Sequence, residues 1–414
     1  MGTIIGVDIG TSFIRVAVGE ALEGNSIRII GTACEKSDGV NKGNIVNIVA
    51  ASNAIRRAVE SAEQIAGVQI TSCFVSVGGN QIECQKEVGK VGIPDKGGGR
   101  YEIEQSDIER AIECAIAVNF AMDREKLQVA IQEFRIDNSK DEIKEPLHSL
   151  AHSLYVSVLI ITASKTTIRN INACVNTAGY DVAEVKLKTL ASQEAVATKE
   201  ERELGSVIID LGTGTTDVLI LLKDAPVYTT SIPCGGRDVT NDIAICEKIP
   251  FDEAEKIKIE SGCCWEENVD KDATVIISGV GGRPPAEVSQ VEICRIIQCR
   301  MEEIFTLIGE KLSESTNFGD LLGNIILTGG GACMDGVIEL AQTVFDTSAV
   351  RIGTPVGFGD GTQEYESPEW ATALGLVVSG RDKELSSREL KRRTASSGKP
   401  RKESIFTKVI KSLF

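Results

Sequence analysis

The chain has 414 residues, of which 42% are hydrophobic and only 4% aromatic, a composition that fits a two-lobed globular protein packed with aliphatic side chains. Its net charge of −16 is unevenly distributed, because residues 1–380 carry −23 and residues 381–414 carry +7. An acidic body would repel nucleic acid, which argues against a nucleic-acid-binding protein, whereas the basic tail would be attracted to an anionic surface.

Hydrophobic runs in the sequence are short. None approaches the ~18–20 residues needed to span a bilayer, and the longest candidate, at 155–162, has the length of a strand. The N-terminus begins with a predicted strand rather than with the charged and apolar regions of a signal peptide. We therefore expect a cytoplasmic protein.

Twelve cysteines and two histidines give no clear metal-binding pattern. The cysteines are scattered through apolar segments without a C-x-x-C pair, so we expect buried, reduced residues rather than disulfides or a zinc site. Cys263 and Cys264 are adjacent, which is poor geometry for either use. His148 and His152 have an i, i+4 spacing, but no glutamate follows His148 as in a zinc protease, so metal binding there is the weaker interpretation.

Predicted strands and helices alternate along the chain, a pattern typical of an α/β protein with partly parallel sheets. Strands are predicted at 3–9, 13–19, 72–77, 82–93, 128–136, 155–162, 182–187, 206–211, 217–222 and 324–328. Helices are predicted at 46–66, 105–118, 165–177 and 368–378. The strand at 155–162, the helix after it and the strand at 182–187 predict a βαβ unit.

An internal repeat indicates two similar lobes that face each other across a cleft. The sequence VDIGTS at residues 7–12 is echoed by IDLGTGTTD at residues 209–217, and each copy is a strand, a Gly/Thr turn and a strand. The repeat and the segments between its copies predict six units. They are a first lobe (1–80 and 155–203), an insertion into it (81–154), a second lobe (204–232 and 319–380), an insertion into that lobe ending in a long amphipathic helix (233–318), a flexible basic linker (381–402) and a terminal helix (403–414).

The two turns have the chemistry that an oligophosphate requires. In turn 1 (residues 10–12), Gly10 permits close approach, while backbone N–H groups and the Thr11 and Ser12 hydroxyls can donate to phosphate oxygens. Turn 2 (residues 212–216) supplies Gly212, Thr213, Gly214, Thr215 and Thr216. Asp8 and Asp210, each at the end of a strand, could hold a hydrated Mg²⁺ through its waters. A single Asp-x-Gly-Thr turn also occurs in ordinary hairpins, but two at matching positions of a repeat favour a ligand site.

A third glycine cluster, Gly329, Gly330 and Gly331, lies between a predicted strand and a helix. It permits flat approach of a ligand, and a helix N-terminus would add partial positive charge. A tight turn is the alternative, although one or two glycines would suffice for it.

The last twelve residues predict an amphipathic helix. Its apolar half contains Ile405, Phe406, Val409, Ile410, Leu413 and Phe414. Lys408 and Lys411 lie on the polar half, and no acidic residue follows Glu403. This pattern indicates a helix lying in the plane of an anionic membrane, with docking on the protein's own body as the alternative.

These elements, in this order, resemble the superfamily of actin, DnaK-type chaperones and sugar kinases. Within it the chain most resembles the FtsA family of bacterial cell-division proteins, over essentially its whole length. The specific similarities are EVGKVGI at 87–93, ERELG at 201–205, VGGRPP at 280–285 and the terminal helix.

The resemblance implies an α/β actin-like ATPase fold with two lobes around a nucleotide cleft, and ATP with Mg²⁺ as its ligands. It implies that Asp8 and Asp210 lie near Mg²⁺ and the γ-phosphate and that Glu194 orients a water. Gly235 and Gly236 would pass near the ribose and phosphates.

Other positions are less clearly assigned by the resemblance. Glu255 and Lys258 resemble a nucleoside-contacting pair, with an i, i+3 surface ion pair as the alternative. Phe13 stands where many members carry Lys, so Arg15 is expected to supply the cation. Thr213 replaces a commoner Gly, and together these departures make hydrolysis less certain than binding.

By resemblance, the protein self-assembles into filaments and binds the cytoplasmic face of the membrane at the division site. It would anchor FtsZ filaments there, and other division proteins would also be its partners. The FtsZ C-terminal tail would dock on the second-lobe insertion near Arg300 and Glu303. ATP would mainly control assembly. An ATP-dependent small-molecule kinase of the sugar-kinase type is the alternative, although no polyol site is evident and a kinase needs no terminal membrane helix.

Overall fold

The computed structural model describes residues 2–22, 26–95, 97, 101–277, 286–315, 321, 323–359 and 365–397. Its strands are β1 (Thr3–Ile9), β2 (Phe13–Ala21), β3 (Ile27–Lys36), β4 (Val40–Asn41), β5 (Asn44–Ile45), β6 (Ser72–Val77), β7 (Ile82–Gly92), β8 (Arg124–Ile136), β9 (Ser153–Ser164), β10 (Asp181–Leu187), β11 (Ser206–Leu211), β12 (Thr216–Leu222), β13 (Ala225–Ile232), β14 (Thr274–Ile277), β15 (Ala286–Ser289), β16 (Ile325–Thr328), β17 (Val350–Ile352) and β18 (Phe358–Gly359). Its helices are α1 (Ile48–Ala66), α2 (Gln105–Ile116), α3 (Lys165–Ala178), α4 (Lys188–Val196), α5 (Lys199–Leu204), α6 (Gly236–Glu247), α7 (Phe251–Ser261), α8 (Gln290–Ser315), α9 (Val337–Phe345) and α10 (Ala371–Ser397).

Two sheets carry the repeat that the sequence predicts. The first has the order β10-β6-β1-β2-β3-β18 and the second the order β13-β12-β11-β16-β17. In the first, β1 pairs antiparallel with β2 and parallel with β6. In the second, β11 pairs antiparallel with β12 and parallel with β16. The prediction of two similar α/β lobes is confirmed.

Helices cover both faces of the first sheet, and small residues permit their close approach. A Cβ added to Gly31 would lie 2.8 Å from Ala66 of α1, whereas one added to Gly6 would lie 2.2 Å from the Ala373 carbonyl of α10. Gly6 pairs with Ala17 and Gly31 with Val18, so the two glycines face opposite sides of the sheet. The first sheet is therefore buried between α1 and α10.

The insertion into the first lobe is larger than predicted. We expected β9 to form a βαβ unit with α3 and β10, but β9 pairs antiparallel with β7 and β8 along its length, while β10 pairs with β6. The reason is that β9 is a nearly continuous apolar strand, which fits the centre of any sheet and does not reveal its neighbours. The inserted unit is thus a β7-β9-β8 sheet packed on α2, and it extends to Ser164.

The insertion also contacts the second lobe. Gln132 Nε2 donates to the Pro226 carbonyl over 3.2 Å, and Cys84 Sγ lies 3.3 Å from the Thr229 carbonyl of β13. Lys223, in the turn before β13, pairs with Glu142.

The C-terminal part of the fold differs from the prediction in two ways. We expected residues 319–380 to belong to the second lobe, but β18 pairs with β3, and α10 packs on β1, β2 and α4 of the first. The helix also continues to Ser397, through the segment in which we expected a flexible linker from residue 381. The reason is composition, because residues 381–397 are rich in Arg, Lys, Glu and Leu and contain no Gly or Pro.

α10 and α4 cross in close contact at Gly375. A Cβ on Gly375 would lie 1.7 Å from the Ala191 carbonyl oxygen, so the two backbones touch at this point. Only glycine fits such a crossing without displacing one of the helices.

All twelve cysteines are free thiols, and five of them are buried, fewer than predicted. His148 and His152 do not lie on a helix, and His148 Nδ1 instead lies 2.9 Å from a Glu102 carboxylate oxygen. Within the described ranges, no helix combines the length and apolar character needed to cross a bilayer. The predicted terminal helix at 403–414 and the VGGRPP segment at 280–285 lie outside the described residues.

Candidate functional site

A cavity lies between the two lobes, and most of the predicted ligand-binding residues line it. The predicted residues found there are Asp8, Gly10, Thr11, Ser12, Arg15, Asp210, Gly212, Thr213, Gly214, Thr215, Thr216, Gly235, Gly236, Glu255, Lys258, Gly329, Gly330 and Gly331. Both turns, the three-glycine segment and the Glu255–Lys258 pair therefore meet at one place.

Turn 1 and turn 2 have the same geometry. The Gly10 N–H donates to the Phe13 carbonyl over 3.0 Å, and the Gly212 N–H donates to the Thr215 carbonyl over 3.0 Å. A Cβ would lie 2.5 Å from the Phe13 oxygen in turn 1 and 2.7 Å from the Thr215 oxygen in turn 2. Glycine is required at both positions for the turn to close, quite apart from any ligand.

The two turns also approach each other directly. A Cβ on Gly214 would lie 2.7 Å from Thr11 Oγ1 and 2.9 Å from the Lys42 Cα. Lys42 lies in the tight β4–β5 hairpin, and its Nζ donates to the Pro233 carbonyl of the second lobe over 2.7 Å. Backbone donors of both lobes are thus brought within reach of one bound polyanion.

Three buried carboxylates and one ammonium form the base of the cavity. Asp8 accepts a 2.6 Å hydrogen bond from Ser76 Oγ, and Asp217 accepts one from the Gly79 N–H at 2.9 Å. The third carboxylate, Asp210, is only 1% exposed, and its Oδ2 lies 3.3 Å from Lys188 Nζ.

The cluster perturbs the pKa values of its members. Burial alone would lower the pKa of Lys188, but the three surrounding carboxylates outweigh burial and raise this pKa above that of an ordinary lysine. Burial raises the pKa of the Asp210 carboxyl, and the Lys188 ammonium offsets only part of that rise, because Asp217 and Asp8 lie close by. The cluster therefore places three carboxyl groups around a single ammonium group.

One atom of this cluster has no partner within the protein. Asp210 Oδ1 is buried and accepts no hydrogen bond, which is costly unless a ligand or water supplies one. Gly329 leaves space beside Asp210 Oδ1, because a Cβ at position 329 would lie only 2.3 Å from that oxygen and would fill the space. Within the described residues no cluster of three or more His, Cys, Asp or Glu side chains is arranged to hold a metal. Mg²⁺ in nucleotide sites is usually bound by one or two carboxylates together with water and phosphate, and Asp8 with Asp210 fits that role.

The three-glycine segment differs in one respect from the prediction. It leads into a single 3₁₀ turn, Gly330–Cys333, and α9 begins only at Val337, so the expected α-helix N-terminus is not next to the glycines. Gly330 nevertheless has open space beside it, since the nearest atom to an added Cβ is 4.0 Å away. The segment permits close approach through its lack of side chains rather than through a helix dipole.

Glu255 and Lys258 form more than a surface ion pair. Lys258 Nζ lies 2.7 Å from Glu255 and donates to the Gly236 carbonyl at 3.0 Å and to Thr240 Oγ1 at 2.8 Å. These bonds fix α7 against the start of α6 and place both charged groups at the cavity wall. Apolar lining on the same side comes from α6, α7 and α8 through Val239, Ile259, Met301 and Ile304.

Two expectations for the cavity are not matched by the geometry. Glu194 lies near the far end of α4, away from the cavity lining, and pairs with Arg202 over 3.3 Å, so the predicted water-orienting role has no geometric basis. Arg15 reaches the cavity, but its guanidinium is bound to Glu369 over 2.6 Å. Arg300 and Glu303, predicted near a docked partner tail rather than at the cavity, lie on α8, where Arg300 pairs with Asp242 over 2.6 Å and with Glu303; their role stays a prediction.

Sequence reasoning missed two charged residues of the site. Asp217 belongs to the repeated motif and could have been found there, as a third acidic residue next to turn 2. Lys188 carries no sequence signal, because only the pairing of β10 with β6 brings the start of α4 to the cavity.

Comparison with known proteins identifies the family. The family model for cell division protein FtsA matches residues 207–375, and a second model, for the SHS2 domain inserted in FtsA, matches residues 79–162. Cell division protein FtsA of Borreliella burgdorferi is 41% identical over 91% of this chain and 90% of its own length. This chain belongs to the FtsA family. FtsA of Pseudomonas aeruginosa is 36% identical over 92% of this chain and 90% of its own length.

Solved structures show that this FtsA-family chain shares its fold with actin-like proteins. A PilM–PilN type IV pilus biogenesis complex has a TM-score of 0.64 at 16% identity and covers 91% of this chain and 98% of its own. MreB5 of Spiroplasma citri bound to AMPPNP has a TM-score of 0.56 at 14% identity, covering 95% and 98%. A MamK double helical filament has a TM-score of 0.51 at 14% identity, covering 90% and 98%. The inserted SHS2 match coincides with the β7-β9-β8 unit, so the FtsA-type insertion is confirmed.

Proposed function

We propose that this chain is an ATP-binding cell-division protein that assembles into actin-like filaments and anchors FtsZ filaments to the cytoplasmic face of the membrane at the division site. The observation that carries the proposal is the pair of equivalent glycine turns meeting across one cavity, with the unpaired Asp210 carboxylate oxygen beside them. Turn 1 and turn 2 would bind the phosphates through backbone N–H and threonine hydroxyl groups.

Each set of residues in the cavity would have its own role in binding the nucleotide. Mg²⁺, when bound, would supply the positive charge that neutralises the phosphates. Asp8 and Asp210 would hold its hydration shell, and the apolar side chains of α6, α7 and α8 would receive the base. The fixed position of the Glu255–Lys258 pair favours contact with the nucleoside over a role on the surface.

Control of assembly follows from the position of the cavity. A ligand bound by both lobes changes the angle between them, and self-association depends on that angle when each subunit contacts its neighbours through both lobes. A filament of an actin-like neighbour and a nucleotide-bound actin-like structure support this interpretation by analogy of fold.

The proposals of membrane attachment and FtsZ binding are supported by membership of the FtsA family and by the sequence. The amphipathic pattern of residues 403–414 supports attachment, and a filament would present many such helices, so that each contact after the first becomes effectively intramolecular. The FtsZ tail would dock on the second-lobe insertion near Arg300 and Glu303.

Sedimentation with anionic vesicles tests the proposal in the full chain. We expect the wild type to sediment with the vesicles when Mg·ATP is present, and Ile410→Glu to remain in solution, because it places a charge in the apolar half of the helix. Ser412→Glu adds the same charge to the polar half and should retain most of the binding. Normal sedimentation of Ile410→Glu would disprove the anchor, and nucleotide-independent behaviour of the wild type would disprove the control by ATP.

A further inference from the structure

Three basic side chains line the cavity within the described residues: Arg15, Lys188 and Lys258. Arg15 is bound to Glu369 at 2.6 Å and is only 12% exposed. Lys258 donates to a backbone carbonyl and a threonine hydroxyl and pairs with Glu255. Both cations are therefore already held by short contacts to other protein groups.

Lys188 is held more loosely. Its Nζ lies 3.3 Å from Asp210 Oδ2, longer than the 2.7–2.9 Å typical of a charge-assisted hydrogen bond. It also lies 3.8 Å from the position of a Cβ on Gly212, which places the ammonium beside the backbone of turn 2. A lysine has three donors on a flexible stem, so it can turn from a carboxylate to a phosphate without moving the backbone.

The direction of the cavity indicates which phosphate Lys188 meets. The apolar lining comes from α6, α7 and α8 of the second lobe, whereas Lys188 belongs to the first lobe. The Lys188 Cβ lies 3.3 Å from the position that a Cβ added to Gly78 would occupy. A Cβ at Gly78 would also lie 3.2 Å from Asp217, so Lys188 stands at the carboxylate end of the cavity. With the base among the apolar side chains, the last phosphate of the chain comes closest to this end.

We infer that Lys188 binds the terminal phosphate of a nucleoside triphosphate and makes the site distinguish a triphosphate from a diphosphate. This inference rests on the proposed nucleotide site. With a diphosphate, the ammonium keeps its contact with Asp210, whereas with a triphosphate it gains a second anionic partner on the ligand. The preference is then a property of the protein's own cation, in addition to whatever Mg²⁺ contributes.

Calorimetric titration of the full chain with Mg·AMPPNP and Mg·ADP tests the assignment. Lys188→Met should weaken AMPPNP binding by about tenfold or more, the lower end of what a hydrogen bond to a charged group contributes, and ADP binding by less than about threefold. Lys188→Arg, which keeps the charge, should recover most of the loss. Equal weakening of both ligands, or tighter AMPPNP binding by Lys188→Met, would overturn the inference.

A second measurement needs no variant and decides the matter if Lys188→Met does not fold. In EDTA, the wild type should still bind AMPPNP more tightly than ADP, because Lys188 is part of the chain. Loss of that preference would refute the assignment of Lys188 while leaving the nucleotide site intact. Failure of the wild type to bind either ligand, with or without Mg²⁺, would instead refute the proposed function.

Discussion

Replacement of Gly375 by alanine tests whether α4 and α10 cross as closely as the structure indicates. The new Cβ would lie 1.7 Å from the Ala191 carbonyl oxygen, whereas an ordinary carbon–oxygen contact is about 3.3–3.6 Å. One helix must therefore move by about 1.5 Å or more, and overpacking of this kind typically costs about 1–3 kcal/mol, occasionally more. Alanine gains about 1 kcal/mol of helix propensity over glycine, which offsets only part of the cost.

Because the contact is with a backbone oxygen, the cost falls in the upper half of that range, so we expect Gly375→Ala to lower the free energy of unfolding by about 1–2 kcal/mol, measured by urea denaturation with an unchanged dependence on denaturant. Gly309→Ala is the matched control, since Gly309 also lies within a helix, α8, but its added Cβ would meet nothing closer than Phe345 at 3.9 Å. It should stabilise the protein by up to about 1 kcal/mol. If Gly375→Ala is as stable as the wild type, or if both variants shift in the same direction, the packing argument is wrong.

Two further predictions concern charged groups. Asp210→Asn should lose the Mg²⁺-dependent part of nucleotide affinity in calorimetric titration, because an amide oxygen is a poorer partner for hydrated Mg²⁺ than a carboxylate; an undiminished Mg²⁺ effect would contradict the assignment. Burial alone would raise the pKa of Glu201, but hydrogen bonds from Arg351, Asn324 and the Thr198 N–H outweigh it and lower the pKa to about 2. Because the folded pKa lies below the unfolded one, the stability that Glu201 contributes is present above about pH 4.5 and is lost as the pH falls towards 2. The stability difference between the wild type and Glu201→Gln should therefore narrow by about 1 kcal/mol between pH 5.5 and 3.5, whereas the exposed control Glu203→Gln should show no such trend.

The sequence predicted those parts of the site that depend only on residues close together in the chain. A strand, a Gly/Thr turn and a second strand fix a phosphate-binding turn within about ten residues, so turn 1 and turn 2 could be found from the repeat alone. Their meeting across a cavity followed from the same repeat, because two equivalent lobes place equivalent turns opposite each other.

What the sequence could not predict depends on pairing between distant segments. Lys188 reaches the cavity because β10 pairs with β6, more than a hundred residues earlier, and no local pattern marks it. Glu194 was expected at the cavity to orient a water, but it lies six residues beyond Lys188 along α4, about 9 Å by helical rise. The sheet to which β9 belongs was mistaken for the same reason, since an apolar strand does not specify its partners.

α10 runs from the cavity, which Thr372 lines, to the last of the described residues. Near its start, Thr372 Oγ1 donates to Asp210 Oδ2 at 3.4 Å, and one turn later Gly375 lies against α4. From that crossing the helix continues to Ser397 over about 33 Å at 1.5 Å per residue, and the Lys186–Ser379 hydrogen bond and the Lys383–Glu184 ion pair hold its first half against the first lobe. The segment 398–414 therefore begins about 38 Å along the helix axis from Thr372, at a distance from the cavity that the helix sets.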